Sequence, residues 1–197
     1  VLALPLAAAL ADCGSGGSDS TSTEGSASTR VEGGTSGEGA TSFKPAHHHD
    51  SGGGSAQYRV KGGDNSVQEF GSEAEGSEFE TAAAALHSFL DARAQGDWAA
   101  ACSYISKSVV ESFEQLAARA KQGGGAGCAA VLEELTNPAA KQAMKEEAAR
   151  ANAGSLRTEG ERAFLIYTGA DKTVIAMPIT NEGGAWKVAS PAGTPLS

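Results

Sequence analysis

From residue 77 onward, apolar side chains recur every three to four positions, the helical period, until about residue 154. In SEFETAAAALHSFLDARAQGD, Phe79, Ala83, Leu86, Leu90 and Ala94 fall on one side of a helix. Ser77 and Glu80 have capping-box spacing at its start, and Gly96 supplies the stop. Asp97 is placed to cap a short helix over WAAACSYIS, and Ser108 with Glu111 predicts a second capping box ahead of Val109, Phe113, Leu116 and Ala120. GGGAG then forces a loop. Cys128, Val131, Leu132 and Leu135 mark a fourth helical face, and Asn137 followed by Pro138 starts a fifth helix running to about Asn152.

After Gly154 the pattern changes to ERAFLIYTGADKTVIAMPITNEGGAWKVAS, three apolar runs separated by the turn-rich GADK and NEGG. These predict an antiparallel meander. Its middle run is apolar at successive positions, as in a strand covered on both faces. Helices first and strands afterwards give an α+β domain over residues 77–197, with amino-terminal helices ahead of an antiparallel sheet.

The remainder of the chain has a different composition. Of the 43 residues from Gly14 to Ala56, 26 are Gly, Ser or Thr. So little apolar area cannot offset an ordering cost of roughly 1–2 kcal/mol per residue, and 13–56 is expected to be a disordered tether. Residues 57–76 regain Tyr58, Val60, Val67 and Phe70 between breaking glycines, which predicts a partly ordered strap. The net charge of -9 is spread over tether and domain, without the basic excess that phosphate binding requires, so no nucleic-acid partner is expected.

VLALPLAAALA is too short to span a bilayer and has the length of a secretory h-region, so 1–12 is expected to be a signal peptide truncated at its start. Leu10, Ala11, Asp12 and Cys13 resemble the bacterial lipobox, in which the Cys takes the lipid; Asp12 departs from its small-residue pattern. The resemblance implies lipidation at Cys13, a membrane anchor and a place on the extracytoplasmic face of the cell membrane. Ala9 and Ala11 offer the alternative, a small-x-small cleavage site and secretion. His47, His48 and His49 are adjacent imidazoles in the tether, weak candidates for a metal, with nothing nearby to complete a site.

Two stretches, FLDARAQGDWAAACSYIS and NEGGAWKVAS, resemble the nuclear-transport-factor-2-like superfamily: the first its long helix and following helical turn, the second its late Gly-Trp-Lys hairpin strand. The resemblance covers about 77–191 and implies a cone of helices closed over a strongly curved sheet. More narrowly the chain looks like exported, lipobox-bearing members with a cysteine in each of two early helices. SLRT is expected to supply a further strand, since the meander is short for that fold. Cys102 and Cys128 lie among small residues in neighbouring helices; outside the cytoplasm they pair if their Cα atoms come within about 7 Å, and otherwise stay as two buried thiols. Pairing would leave Cys13 for the lipid.

Relatives of this fold use the open end of the cone as a pocket, with an Asp or His as base and a Tyr as donor. The candidates here are His87, Tyr104, Tyr167 and Asp171. His87 equally suits a surface or rim position, Asp171 a turn, and Tyr167 and Trp186 the sheet core. No Ser-His-Asp set, phosphate loop or zinc motif occurs, and no cofactor is expected. The expectation is a non-catalytic module binding a small apolar ligand. Its alternatives are an interaction domain using the sheet face, as in a homodimer, and a small isomerase or dehydratase.

Overall fold

The structure, a computed structural model, describes residues 50–119 and 127–197. The expected signal peptide, Cys13, His47, His48, His49 and most of the tether and GGGAG loop lie outside the described residues. The described residues form an α+β arrangement of five helices and a six-stranded antiparallel sheet. The helices are α1 (Gly76–Gln95), α2 (Trp98–Ser103), α3 (Lys107–Arg119), α4 (Cys128–Glu134) and α5 (Pro138–Arg150). The strands are β1 (Ser72–Ala74), β2 (Asn152–Glu159), β3 (Arg162–Thr168), β4 (Val174–Glu182), β5 (Ala185–Val188) and β6 (Thr194–Pro195). They lie in the order β1-β2-β3-β4-β5, with β6 also paired to β4.

α1 supplies the inner helical face. Ala82, Ala83, Leu86, Phe89 and Leu90 are buried among Leu156, Leu165, Met177, Ile179 and Val188 of the sheet. Gly96 ends the helix at φ 74°, a left-handed conformation that a residue without Cβ adopts freely. Asp97 caps α2 by accepting from the Ala100 amide at 2.9 Å, and Asn137 caps α5 by accepting from Ala140 at 2.8 Å, with Pro138 at the first helical position. NEGG closes the β4–β5 hairpin with Gly183 and Gly184 both at positive φ, as the preferred hairpin turns require.

Neither predicted capping box forms. α1 begins at Gly76 after an extended Glu75, which makes no side-chain cap, and α3 begins at Lys107, so Ser77 and Ser108 are already inside their helices. α3 contributes no fully buried residue: Val109, Val110 and Phe113 are partly buried, while Leu116 is exposed. α5 stops at Arg150 and Asn152 opens β2, so SLRT lies within a full strand.

Order also begins earlier than composition predicts. Residues 50–56, placed in the tether by their Gly and Ser content, run along β2: the Ser51 amide donates to Ala153 O and the Gly54 amide to Gly154 O, both at 2.9 Å. Beyond them Ser55–Tyr58 form a short 3-10 turn, and β1 pairs Ser72 to Ala74 with Thr158 to Leu156. The outer edge of β2 is therefore covered along most of its length, which blocks pairing with another chain there. Gly154, at an irregularity in the β2–β3 register, allows this approach; a Cβ on it would collide with the Tyr58 hydroxyl.

Arg157 fastens the strap. Its Nε and Nη2 donate to Phe70 O and Gly71 O at 2.8 and 2.7 Å, and Nη1 reaches Glu73 at 3.2 Å. Phe70 sets its ring edge-on to Phe164, centroids 5.0 Å apart. On the other side of the domain, Cys102 of α2 and Cys128 of α4 stand at disulfide distance, S–S 2.02 Å with Cα atoms 6.1 Å apart.

Two outcomes are expected. Replacing both Cys102 and Cys128 by Ser should lower stability by about 3.5 kcal/mol, the loop-closure value for a 26-residue separation, read as the shift in a urea unfolding curve. Arg157→Ala should release the strap, raising hydrogen exchange at the Ser51 and Gly54 amides while the β3–β4 amides stay protected; each lost charge-assisted bond is worth roughly 1.5–3 kcal/mol locally.

Candidate functional site

Two concavities flank α1. The larger, about 790 Å³, lies between the strap, the β1–α1 corner and α1. Its walls carry Asp50, Glu73, Glu75, Glu80 and Asp91, with Phe79 and His87. Several of these groups serve as fasteners. His87 Nε2 and Asp50 Oδ1 are 3.0 Å apart, and the same Asp50 oxygen accepts from the Ala153 amide at 2.9 Å. His87 is only 7% exposed, so it is a buried pin between α1 and the strap rather than a surface residue.

Glu73 accepts from Ser155 Oγ at 2.7 Å, from the Ser55 amide at 3.0 Å and from Arg157 at 3.2 Å. Burial works to raise the pKa of this carboxyl, but the Ser155, Ser55 and Arg157 hydrogen bonds together outweigh it and hold Glu73 below its ordinary range. Among the described residues no group of three or more His, Cys, Asp or Glu is placed to hold a metal ion. The hollow is thus a joint with an acidic surface.

The second concavity, about 320 Å³, opens between α1, α5 and the β3–β4 sheet face. Leu90, Ala140, Met144, Ile175 and Met177 line it with apolar surface. Gly193 closes one side, and a Cβ there would collide with Ile175, so only glycine lets the carboxyl-terminal segment lie this close to β4. Three polar side chains converge on it: Arg93 from α1, Glu147 from α5 and Tyr167 from β3.

Arg93 Nη1 donates to Pro191 O at 3.1 Å, and its guanidinium carbon lies 5.1 Å from the Phe89 ring centroid. Burial lowers its pKa, while the neighbouring Tyr167 and Glu147 work in the opposite direction. Glu147 Oε2 accepts from the Ala170 amide at 3.0 Å, which ties α5 to the β3–β4 turn. The Tyr167 ring is 3% exposed; burial first, and then the Glu147 carboxylate, push its phenol far above the ordinary range, against a smaller opposing pull from Arg93. The shift favours the neutral phenol, the form that can donate a hydrogen bond.

The sequence candidates are dispersed. Tyr167 lines the cleft, His87 lines the hollow, and Tyr104 lines neither: its carbonyl accepts from Val188 at 2.7 Å where the α2–α3 connection meets β5. Asp171 sits in the exposed β3–β4 turn and accepts from the Thr173 amide at 2.9 Å. Trp186 is in the core. Sequence reasoning missed Arg93 and Glu147. The available signal was position: Arg93 follows Leu86, Phe89 and Leu90 on the buried side of α1, and Glu147 stands between Met144 and Ala148 on the inner side of α5.

The chain matches no protein-family model, no curated protein and no solved structure. The described residues form an α+β domain with an apolar cleft faced by three polar side chains and, on the other flank of α1, an acidic joint.

The titrations of these two places give opposite signs. Glu73, depressed in the fold, stabilises strap docking above the unfolded-state value of about 4.3, and that contribution is lost as pH falls through the folded value. Exchange at Ser55 and Gly54 should rise below pH about 4 in the wild type and change less in Glu73→Gln. Tyr167, raised in the fold, favours the native state up to about pH 10 and opposes it above. Alkaline titrations of phenolate absorbance in wild type and Tyr167→Phe should coincide until the domain unfolds, and an earlier divergence would show the phenol ionising in the folded state.

Proposed function

We propose that this protein is a non-catalytic ligand-binding module of the cell envelope, held on the extracytoplasmic face of the membrane through a lipid on Cys13. The observation that carries the binding reading is the α1–α5 cleft: a preformed apolar concavity with a few convergent polar groups, the usual character of a small-molecule site. The nuclear-transport-factor-2-like resemblance of residues 77–191 agrees with it, since a cleft between helices and an antiparallel sheet is where that fold keeps its ligands. Support for the location comes from the sequence: the apolar run before Cys13, the Gly/Ser tract after it, and the Cys102–Cys128 pair at disulfide distance, which suits an oxidising compartment.

A second reading, a small isomerase or dehydratase, draws on one observation: the Glu147 carboxylate lies against the Tyr167 phenol in the same cleft, a base and a donor side by side. His87 and Asp171 take no part in it, because neither lines the cleft.

Solvent extraction of the natively purified full chain followed by mass spectrometry should yield a small molecule. Met144→Trp, which fills the cleft, should reduce its recovery at least about tenfold. Equal recovery from both proteins would place the binding elsewhere. Intact mass tests the anchor: a diacylglyceryl adduct on an amino-terminal Cys13 is expected, whereas a chain beginning at Asp12 would mean secretion.

A further inference from the structure

We infer that the α1–α5 cleft selects a neutral, mostly apolar molecule carrying one group that both donates and accepts a hydrogen bond, such as a carboxamide, lactam or alcohol. The inference rests on the ligand-binding reading of this cleft and adds the chemical class of the occupant.

Size comes first. A cavity of about 320 Å³ holds roughly ten to fifteen non-hydrogen atoms at the packing density of protein interiors. Most of its wall is Leu90, Ala140, Met144, Ile175 and Met177, which reward apolar surface and offer it no hydrogen bonds.

The polar end is more selective. Arg93 Nε is buried and has no hydrogen-bond partner on the protein, although Nη1 of the same guanidinium is held by Pro191. Glu147 Oε1 is likewise buried and closes no hydrogen bond of good geometry, with the Tyr167 phenol set against the same carboxylate, while Oε2 is held by Ala170. Each side chain is thus fixed by one atom and leaves another unsatisfied, a donor in one case and an acceptor in the other. Buried polar atoms of this kind are rare in folded proteins, and a ligand group seated between the two side chains would supply the missing partners. The Tyr167 hydroxyl adds a third polar position beside Glu147.

Charge decides between ligand classes. The guanidinium and the carboxylate line the same cleft, so its formal charge is zero. An anionic ligand meets Glu147 as well as Arg93, and a cationic one meets Arg93 as well as Glu147; in a partly desolvated cleft the repulsive contact cancels most of the attractive one. A neutral group with both a donor and an acceptor completes the two atoms without adding a charge. A purely apolar ligand fills the volume but leaves both atoms unsatisfied.

The test uses the full chain with isotope-labelled methionine methyls, since Met144 and Met177 both line the cleft. Five probes built on one ring are titrated: benzamide, benzyl alcohol, toluene, benzoate and benzylammonium. Benzamide and benzyl alcohol should shift these methyls with affinities about tenfold or more above the other three, the discrimination expected when a site's polar atoms are matched. Glu147→Gln should turn the preference toward benzoate by about tenfold, and Arg93→Gln should turn it toward benzylammonium; two variants guard against one failing to fold. If toluene binds as tightly as benzamide, the cleft binds ligands but the class named here is wrong. Benzoate or benzylammonium binding tightest to the wild type would overturn the class in the same way. If none of the five moves either methyl, the ligand-binding reading of the cleft falls, and this inference with it.

Discussion

The fold depends on burying one side of α1 against the sheet. Leu86 and Phe89 are fully inaccessible, as are Leu156, Leu165 and Val188 opposite them, and each such side chain contributes roughly 1.5–3 kcal/mol relative to exposure. A helix of 20 residues anchored along this line cannot rotate without exposing that surface. Whatever else lies on the same side is carried inward with it. That is how Arg93, three positions beyond Leu90, comes to be desolvated over the Phe89 ring, and how His87 comes to be buried next to the strap. The two concavities are the two flanks of one helix, and their chemistry follows from which side chains the apolar stripe drags along.

The strap solves a different problem. An antiparallel meander leaves β2 with an open edge, whose unpaired backbone groups invite other chains. Three residues of β1 and the extended segment from Ser51 to Gly54 satisfy that edge, and neither piece has the apolar content to stay there alone. Arg157, Glu73, His87 and Asp50 hold it instead. Placing acidic fasteners there gives the larger hollow its carboxylate walls. Its volume is a by-product of a joint in which Asp50 and Glu73 are engaged with His87, Ser55, Ser155 and Arg157.

Helix positions were legible in the sequence because their signals are local. The period of Phe79, Leu86 and Leu90, the glycine at 96, the Asp97 cap and the Asn137–Pro138 start each act within one turn of the chain. The capping boxes misled because Ser77 and Ser108 have the right spacing but the helices start before them, Gly76 taking a positive φ that Ser would not favour. β1 and residues 50–56 were illegible for the opposite reason: their order comes from partners far along the chain, such as Arg157 and Ala153, and nothing in a Gly/Ser-rich segment announces them. Of the site, only Tyr167 stood out. A charged residue within a helical period reads as part of a solvated face, and the burial of Arg93 and Glu147 is decided by the packing of α1, α5 and β3 together.

The acidity of the whole chain and the neutrality of the cleft bear on each other. A net charge of -9 lowers the local concentration of anions around the protein and raises that of cations, an effect that depends on ionic strength. Were the cleft built for an anion, Arg93 would be working against this field and against Glu147 at once. Were it built for a cation, the field would help, but the guanidinium would stand in the way. A neutral ligand is the one class for which the long-range field is irrelevant and the two opposed charges inside become an advantage, each holding the other's potential in check while offering one free donor and one free acceptor. On the proposed reading, affinity comes from the apolar wall and orientation from the pair. A cleft made this way would bind its proposed ligand without interference from the charge of the chain around it.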